Sequence, residues 1–432
     1  MTDTIFALSS GSLPSGLAVV RVSGPAVRFV IETTIGRPPE PRRAALKTIR
    51  DTNGEAIDRG LALFFPAPGS FTGEDVAEFH LHGGRAVVAA FLAFLGSLPG
   101  LRLAEAGEFT RRAFDNGQLD LTEAEGLADL IAAETEAQRR LALRLAGGAF
   151  RARAEDWRRR LIDLRAYVEA DLDFSDEEDV PDDVSGGVGI GIAALRDEME
   201  RELTAGQRGE RIRDGFEVVV LGPPNAGKSS LVNVLAERDV AIVTDIPGTT
   251  RDLLEVHLDL GGYAVTLVDT AGLRDGGDVI EAEGMRRGRV RAAAADLILW
   301  LDEEGDGAPE DVVGLGVRIL SIHAKIDLHS PGREGLGVSV HDRASIDRLL
   351  QRLAQEAASR LGGEAPLVSR ARQRQCLDQA VATLRDAESP GLPKEIMADR
   401  LRQAGEALGR LTGRIDVEEV LGSIFSTFCI GK

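Results

Sequence analysis

A glycine-rich segment carries the residue types and the spacing that bind the phosphates of a nucleotide. Gly222, Lys228 and Ser229 satisfy the pattern GxxxxGKS/T, directly after the strand-like run 216–221 and before a helical run. Backbone N–H groups of such a loop and the positive end of the following helix face the phosphate oxygens. The lysine reaches the terminal phosphates and the hydroxyl is a Mg²⁺ ligand, so we predict a P-loop with Lys228 as a catalytic residue. The predicted nucleotide contacts in this segment are Asn225, Ala226, Gly227, Lys228, Ser229 and Ser230.

Two further polar segments follow the P-loop in the order that a phosphate-sensing site requires. Residues 269–272 read Asp-Thr-Ala-Gly after a strand, which places the Asp269 carboxylate near the metal and the Gly272 N–H near the γ-phosphate. Residues 244–252 form a polar loop in which Thr250 offers a hydroxyl to Mg²⁺. The predicted contacts here are Thr244, Asp245, Ile246, Pro247, Gly248, Thr249, Thr250, Asp269, Thr270, Ala271 and Gly272.

A later segment, Ala324-Lys325-Ile326-Asp327, stands where guanine-binding proteins have NKxD. The Asp327 carboxylate can accept from guanine N1–H and from its exocyclic amine, so guanine is favoured over adenine. Ala324 removes the usual Asn, a loss of about 1–3 kcal/mol, and we therefore expect GTP to be preferred but bound more weakly. The predicted base contacts are Lys325, Asp327, Ser339 and Val340.

The residue that orients the attacking water is not fixed by these motifs. Leu273 follows the Asp-Thr-Ala-Gly segment, where Ras-like enzymes have a Gln. Four carboxylates in the loop 273–284 are candidates for this role, and the pattern alone does not rank them: Asp275, Asp278, Glu281 and Glu283.

Short β-branched runs alternate with helical segments around these motifs, which is typical of a parallel α/β domain. The runs 253–260 and 263–268 are separated by Gly261-Gly262, a two-residue hairpin signal. The other predicted strands of this domain are 216–221, 297–301 and 317–322.

The rest of the chain has a different pattern on either side of this domain. The first 115 residues are mixed α/β, with strands predicted at 19–24 and 61–65 and a helix at 86–95, whereas 119–170 and 361–428 are helical. Eight acidic residues and Pro181 in 171–189 predict a solvated loop before the helical pattern returns near residue 192. The flanking helical regions can pack together, which makes the α/β domain an insertion. The predicted domains are 1–118, 119–213, 214–361 and 362–432.

The amino-acid composition of the chain disfavours several classes of protein. The 432 residues carry a formal net charge of −19 and 4% aromatic residues, which disfavours unaided binding of nucleic acid. No apolar run reaches the ~18 residues of a membrane helix. The two cysteines, Cys376 and Cys429, cannot build a disulfide framework. We therefore expect a soluble, cytoplasmic protein.

Together these motifs carry a family resemblance. With Asn225 in the P-loop, the segment TDIPGTTRD at 244–252 and the C-terminal sequence FCIGK at 428–432, the chain resembles the MnmE (TrmE) family of tRNA uridine-modifying GTPases, within the TrmE-Era-EngA group. The likeness covers nearly the whole chain. It includes residues 3–7, 21–25, 70–75, 82–84, 107–110 and 119–121.

The resemblance implies an α/β multidomain fold: an α+β N-terminal folate-binding-type domain that also forms a homodimer, a helical domain and an inserted Ras-like P-loop G domain. It implies a tetrahydrofolate derivative, formyl or methylene, as the one-carbon donor. The implied partner is MnmG, which would hold FAD and join the chain in a heterotetramer or larger complex. The resemblance implies that together they install an aminomethyl-type group at C5 of the wobble uridine of tRNA.

The resemblance also implies site residues. K⁺ would contact Asn225, Thr244, Ile246 and Thr249, in the place of an arginine finger, and Mg²⁺ would contact Ser229 and Thr250. The water-orienting glutamate of the family falls on Glu281. The implied folate-binding residues are Arg21, Glu78, Gln118 and Lys432, where Gln118 replaces a basic residue of the family.

For three side chains in the N- and C-terminal parts, the sequence leaves two interpretations open. His80 and His82 alternate on one strand face, so a metal pair is conceivable, although packing or a ligand contact is favoured because no third ligand is spaced nearby. Cys429 is either a catalytic thiol or a small buried hydrophobe.

Two other functions retain the G domain. One is a ribosome-assembly GTPase of the Era or Der type, which the acidic-to-mixed helical C-terminal region disfavours. The other is a weakly hydrolysing guanine-nucleotide sensor, which Ala324 and the departure at Ser339-Val340 from Ser-Ala permit. For the chain as a whole, we expect weak binding of tRNA at physiological salt in the absence of a partner.

Overall fold

The computed structural model describes residues 3–173, 184–238, 240–242, 254–269, 288–303, 307–328, 336–415, 418–426 and 428–431. The chain forms two compact units. The first contains Met1–Ala128, Ala146–Ile162 and Gly405–Lys432, and the second contains Asp129–Leu145 and Asp163–Ala404. Each unit has a six-stranded sheet. The domain boundaries drawn from the sequence stay a prediction.

The sheet of the first unit has the order β3-β4-β5-β2-β1-β6, and its neighbouring strands are antiparallel except for the parallel pair β1–β6. The strands are β1 (Thr4–Leu8), β2 (Ser15–Ser23), β3 (Ala45–Arg50), β4 (Ala56–Phe65), β5 (Val76–Gly83) and β6 (Leu101–Leu103). The helices beside them are α1 (Val27–Ile35), α2 (Arg85–Ser97) and α3 (Glu108–Asp115).

Alternating apolar residues explain how this sheet buries one face. Val20 and Val22 of β2 are fully buried, two residues apart, while Arg21 between them is half-buried on the other face. Phe79 of β5 meets Phe91 of α2 edge to face, with ring centroids 5.1 Å apart. The strands predicted at 19–24 and 61–65 and the helix at 86–95 are confirmed, with the bounds given above.

Along the chain, helices both precede and follow the second sheet. Those before it are α4 (Leu121–Ala132), α5 (Glu136–Ala146), α6 (Ala149–Asp173) and α7 (Val184–Asp214), and those after it are α10 (Arg343–Leu361), α11 (Ala371–Ala387), α12 (Lys394–Thr412) and α13 (Glu418–Ser426). Arg374 and Arg385 of α11 pair with Glu210 and Glu200 of α7, at 3.0 and 2.8 Å. Helices α7 and α11, which lie on either side of the α/β segment in the sequence, therefore pack together. No helix in the described ranges has the length and apolarity that crossing a membrane requires.

The loop predicted for 171–189 is wrong at both of its ends. Helix α6 continues to Asp173 and α7 begins at Val184, while 174–183 lies outside the described residues. Glycines disfavour a helix in isolation, but in α7 they allow close packing. A Cβ atom on Gly191 would lie 2.6 Å from Leu164 Cδ2, and one on Gly209 would lie 2.0 Å from the carbonyl oxygen of Val368.

The second sheet has the order β12-β11-β10-β7-β9-β8, and only the edge strand β8 is antiparallel to its neighbour. The strands are β7 (Phe216–Leu221), β8 (Leu254–Leu260), β9 (Tyr263–Asp269), β10 (Leu297–Asp302), β11 (Ile319–Ala324) and β12 (Leu336–Val338). Two helices accompany them, α8 (Lys228–Ala236) and α9 (Glu310–Val313). The predicted hairpin turn is confirmed, since Gly261 and Gly262 have φ angles of 64° and 86°. Strand β11 begins two residues later than the pattern predicts.

Asp120 caps α4 with a reciprocal pair of hydrogen bonds. Its Oδ1 accepts from the backbone N–H of Glu123 at 2.8 Å and from the Thr122 hydroxyl at 2.7 Å, while Glu123 Oε2 accepts from the N–H of Asp120. Among the described residues, the buried Oδ2 of Asp120 has no hydrogen-bond partner. Burial, which outweighs the hydrogen bonds to Oδ1, raises the pKa of Asp120 to about 6.

We expect Asp120→Asn to stabilise the first unit at neutral pH. The pKa of Asp120 is higher in the folded chain than the ordinary value of 3.8, so its ionisation destabilises the folded state as the pH rises. Because the pKa is about 6 instead of 3.8, ionisation of Asp120 lowers the free energy of unfolding by up to about 3 kcal/mol at pH 7.5 and by about half of that at pH 5. Denaturant unfolding of both proteins at the two pH values measures the gain. A gain that does not depend on pH would contradict the role assigned to the charge.

Candidate nucleotide-binding site

The loop between β7 and α8 begins at a position that only glycine can occupy. Gly222 has a φ of 154°, and a Cβ atom on it would lie 2.2 Å from the carbonyl oxygen of Leu301 in β10. Gly227 caps α8 with a φ of 92°, which is also in the left-handed region. The predicted P-loop therefore stands directly at the N-terminus of α8, where backbone N–H groups are exposed to an anion.

Lys228 is the first residue of α8, and its ammonium group turns back into this loop. Its Nζ donates to the carbonyl oxygens of Gly222 and Pro223, at 2.9 Å each, and the residue is 8% exposed. Ser229, Ser230 and Asn225 are exposed around it, whereas Ala226 is buried. A buried cation thus lies behind a rim of exposed polar side chains.

Asp269 ends β9 next to the start of the P-loop. It is paired in register with Val220 of β7, and it is 1% exposed. Because the carboxyl ends of parallel strands meet at one edge of a sheet, Asp269 and the loop that follows Leu221 share that edge. The Asp269 carboxylate and the Ser229 hydroxyl are hard oxygen ligands, the kind that Mg²⁺ requires, so these residues fit that ion.

A cavity of about 220 Å³ continues from the P-loop to the segment that was predicted to read the base. Ala226 and Gly227 line it on the P-loop side, and Lys325, Asp327 and Val340 line it on the other. Its other lining residues are Ser230, Leu231, Leu301, Ile322, Ala324, Leu328, Val338 and His341. The cavity therefore joins three of the predicted P-loop contacts, including Ser230, to three of the predicted base contacts.

Two residues at the far end of the cavity differ from the prediction. Ser339 is 2% exposed and does not line the cavity; its Oγ accepts from the N–H of His341 at 3.1 Å, so it shapes the loop. His341 lines the cavity and was missed by the sequence analysis. Its position directly after the Ser339-Val340 pair is the signal that points to it.

Other predicted contacts of this site lie outside the described residues. They are Thr244, Asp245, Ile246, Pro247, Gly248, Thr249, Thr250, Thr270, Ala271, Gly272 and Glu281.

In the first unit, Arg21 and Glu78 face each other across β2 and β5. Arg21 donates to Glu78 Oε1 from Nε at 3.0 Å and from Nη2 at 2.9 Å. The guanidinium carbon lies 5.4 Å from the ring centre of Phe71 and 5.7 Å from that of Phe109. Of the implied folate residues, the structure thus places Arg21 and Glu78 in direct contact; Lys432 lies outside the described residues.

His80 and His82 contact different carboxylates. His80 Nε2 lies 3.4 Å from Glu78 Oε2, whereas His82 Nδ1 lies 2.9 Å from Asp58 Oδ1. Burial raises the pKa of Asp58, but hydrogen bonds from the backbone and the ring of His82 outweigh it, and that pKa is lowered overall. Within the described residues, no group of three or more His, Cys, Asp or Glu side chains is placed to hold a metal ion.

A fully buried arginine holds the loop that carries Phe71. Arg112 Nη1 lies 3.1 Å from Glu74 Oε2, and its Nη2 lies 3.0 Å from Asp3 Oδ1 and 3.1 Å from Glu108 Oε1. Gln118 is exposed beside the same loop, with its Nε2 3.2 Å from the position of a Cβ atom on Gly73. The role of Arg112 was not predicted, because two of its three acidic partners, Asp3 and Glu74, come from distant segments.

Cys429 lies in the extended chain after α13 and is exposed. The interpretation of this residue as a small buried hydrophobe is therefore wrong. Its neighbour Ile430 bridges to Ala106, and the carbonyl oxygen of Gly431 accepts from the Ser9 hydroxyl at 2.8 Å. These two contacts fix the C-terminal residues in place within the first unit.

Comparison with known proteins gives consistent matches along the chain. A family model described as the GTP-binding protein TrmE N-terminus matches residues 4–118, and one described as the MnmE helical domain matches 121–429. Proteins named tRNA modification GTPase MnmE from Brucella melitensis and Brucella ovis are each 54% identical over 434 residues, covering 100% of this chain and 98% of theirs. Among solved structures, Aquifex aeolicus Era is 21% identical and covers 39% of this chain and 66% of its own, but its TM-score of 0.27 is too low to inform the fold.

Proposed function

The chain belongs to the MnmE family of tRNA modification GTPases and is a GTP-hydrolysing enzyme; we propose that hydrolysis takes place at the cavity between the P-loop and the base-reading segment. One observation carries this proposal: Gly227, Lys325 and Asp327 line a single cavity at the N-terminus of α8. A guanine held at Asp327 and phosphates held at α8 need the two ends of one continuous site, which this cavity supplies.

Each described residue of the site has a separate task. Lys228 neutralises the terminal phosphates, for which its ammonium group leaves the carbonyl oxygens of Gly222 and Pro223. Ser229, Asp269 and Thr250 would hold Mg²⁺, which when bound would supply positive charge to the phosphates. Glu281 orients the attacking water in this proposal.

We also propose that K⁺ stimulates hydrolysis. The amide of Asn225 would hold the ion together with the segment that contains Thr244, Ile246 and Thr249. Asn225 is exposed at the rim of the P-loop, so its side chain is free to face a second copy of this chain across the nucleotide. A fixed cation beside the transferring phosphoryl group stabilises the charge that develops there.

The pair Arg21–Glu78 is the centre of the proposed folate site. The carboxylate of Glu78 suits the N–H groups of a pterin ring, and the stacked guanidinium of Arg21 suits a carboxylate of the ligand. Lys432 supplies a second positive charge and Gln118 a neutral hydrogen-bonding group. The tetrahydrofolate derivative, formyl or methylene, supplies the one-carbon unit, and Cys429 is proposed as a thiol near it.

We expect Arg21→Met to weaken binding of 5-formyltetrahydrofolate by about tenfold or more, because a charge-assisted hydrogen bond is lost. Calorimetric titration measures the affinity. Arg28→Met is the matched control, since Arg28 also pairs with a carboxylate, Asp75, and lies over a ring, Phe64, in the same unit. Equal losses in both variants would argue against a folate site at Arg21.

The proposed reaction needs partners. As a homodimer with MnmG and its FAD, in a heterotetramer or larger complex, the chain takes part in adding an aminomethyl-type group at C5 of the wobble uridine of tRNA in the cytoplasm. The net charge of −19 supports a division of labour in which the partner holds most of the tRNA backbone.

Reconstitution tests the function as a whole. Unmodified tRNA is incubated with this chain, MnmG with FAD, GTP, ammonium and methylenetetrahydrofolate, and its nucleosides are analysed by mass spectrometry. We expect a modified uridine that requires GTP and is absent with Lys228→Ala. If GTP is hydrolysed but no uridine is modified in the complete mixture, the GTPase site stands and the assigned reaction is wrong.

A further inference from the structure

Lys325 joins three segments that surround the nucleotide cavity. Its Nζ donates to the carbonyl oxygen of Asn225 in the P-loop at 2.8 Å and to Glu303 Oε1 at 2.5 Å. Glu303 directly follows β10, and Lys325 directly follows β11. The backbone of Lys325 has a φ of 58°, a left-handed conformation that is uncommon for a residue with a side chain.

The neighbouring residue cannot share this task. Ala324 lines the cavity, but its methyl group neither donates nor accepts a hydrogen bond. Lys325 is therefore the side chain at the start of this segment that links it to the P-loop. The four-carbon side chain of lysine is flexible, so its ammonium group needs a second fixed acceptor to keep a single orientation.

Glu303, from the segment that follows β10, supplies that second acceptor. The two side chains are 35% and 29% exposed, so the ion pair itself adds little to the stability of the chain. The ion pair instead restricts the rotamers that the Lys325 side chain can adopt. A restrained Lys325 leaves the base-reading segment closed against the P-loop before the nucleotide arrives, and preorganisation of this kind increases affinity.

We propose that Glu303 is a positioning residue for guanine-nucleotide binding: it orients Lys325, which ties the base-reading segment to the P-loop where Ala324 has no group to do so. The inference rests on the proposed function of this cavity as the GTP site. It predicts an effect on the affinity for nucleotide rather than on the chemical step.

Glu303→Gln tests the inference, because it retains the shape of the side chain and removes its charge. We expect fluorescent methylanthraniloyl-GDP to bind about tenfold more weakly and KM for GTP to rise by a similar factor, with kcat within twofold of the original. Glu200→Gln is the matched control: Glu200 pairs with Arg385 at 2.8 Å, is 34% exposed against 29% for Glu303, and lies on α7. This control should leave both quantities unchanged.

A double substitution distinguishes the proposed role of Glu303 from a general structural effect. Ala324→Asn introduces a second group that can hold the segment, so adding Glu303→Gln to it should weaken binding by less than about threefold. An unchanged affinity in Glu303→Gln, a loss confined to kcat, or an equal loss with and without Asn at 324 would overturn the inference while the original protein still hydrolyses GTP. Failure of the original protein to bind GDP would instead overturn the proposed function.

Discussion

Replacing Lys228 with alanine should lower kcat/KM for GTP hydrolysis by about a thousandfold. Removing one preorganised donor from a transition state costs about 10²–10³ in rate, and this donor also carries a full charge. In the structure the ammonium group lies inside the P-loop at 2.9 Å from two carbonyl oxygens, at a residue only 8% exposed. No other side chain of the loop from Gly222 to Ser229 has a positive charge that could replace it. Phosphate release under single-turnover conditions with Mg²⁺ measures the loss.

Lys394→Ala is the control for this substitution. Lys394 also forms a close ion pair, at 2.5 Å to Asp171, but it belongs to α12, away from the nucleotide cavity of the same unit. Its removal should leave hydrolysis within about twofold. If Lys228→Ala retains more than a tenth of the original kcat/KM, the hydrolysis site does not depend on this P-loop lysine and the account of the site is wrong.

The second large effect should follow Asp327→Ala, which we expect to weaken GTP binding about a hundredfold and to abolish the preference for GTP over ATP. Asp327 lines the base end of the cavity, where its carboxylate can accept from N1–H and the exocyclic amine of guanine. Each charge-assisted hydrogen bond is worth about 1.5–3 kcal/mol. Displacement of fluorescent GDP by GTP, ATP and ITP measures the three affinities.

ITP separates the role of Asp327 from a general loss of the site, because its base lacks the exocyclic amine. The original protein should bind ITP about tenfold more weakly than GTP, whereas Asp327→Ala should bind both alike. Asp347→Ala in α10 is the control and should retain the original order of affinities. Retention of a tenfold GTP preference over ITP in Asp327→Ala would show that another group reads the amine.

The parts of the site that are local in sequence were predictable. A strand, the loop from Gly222 to Gly227 and a helix are consecutive, so the spacing of a few residue types is enough to indicate how they fold. The same holds for Asp269, which ends a strand of the predicted hairpin. The segment that carries Asp327 comes shortly after a predicted strand, which was enough to place it at the carboxyl edge of the sheet, where the cavity lies.

The parts that depend on tertiary contacts were not predictable. Glu303 reaches Lys325 only because β10 and β11 are neighbours in the sheet, and Arg112 meets Asp3 and Glu74 across distant segments. Helix α7 was missed at its start because glycine has low helix propensity, while Gly191 is used for close packing against Leu164. In all three cases the deciding partner lies in a segment that is distant in the sequence.

The most direct test of the account is steady-state GTP hydrolysis by the purified chain in KCl and in NaCl at equal ionic strength, with Asn225→Ala alongside. We expect K⁺ to raise the turnover of the original protein about tenfold or more, and we expect Asn225→Ala to lose this response while it still binds GDP. Equal turnover in the two salts, or a K⁺ response that persists in Asn225→Ala, would contradict it.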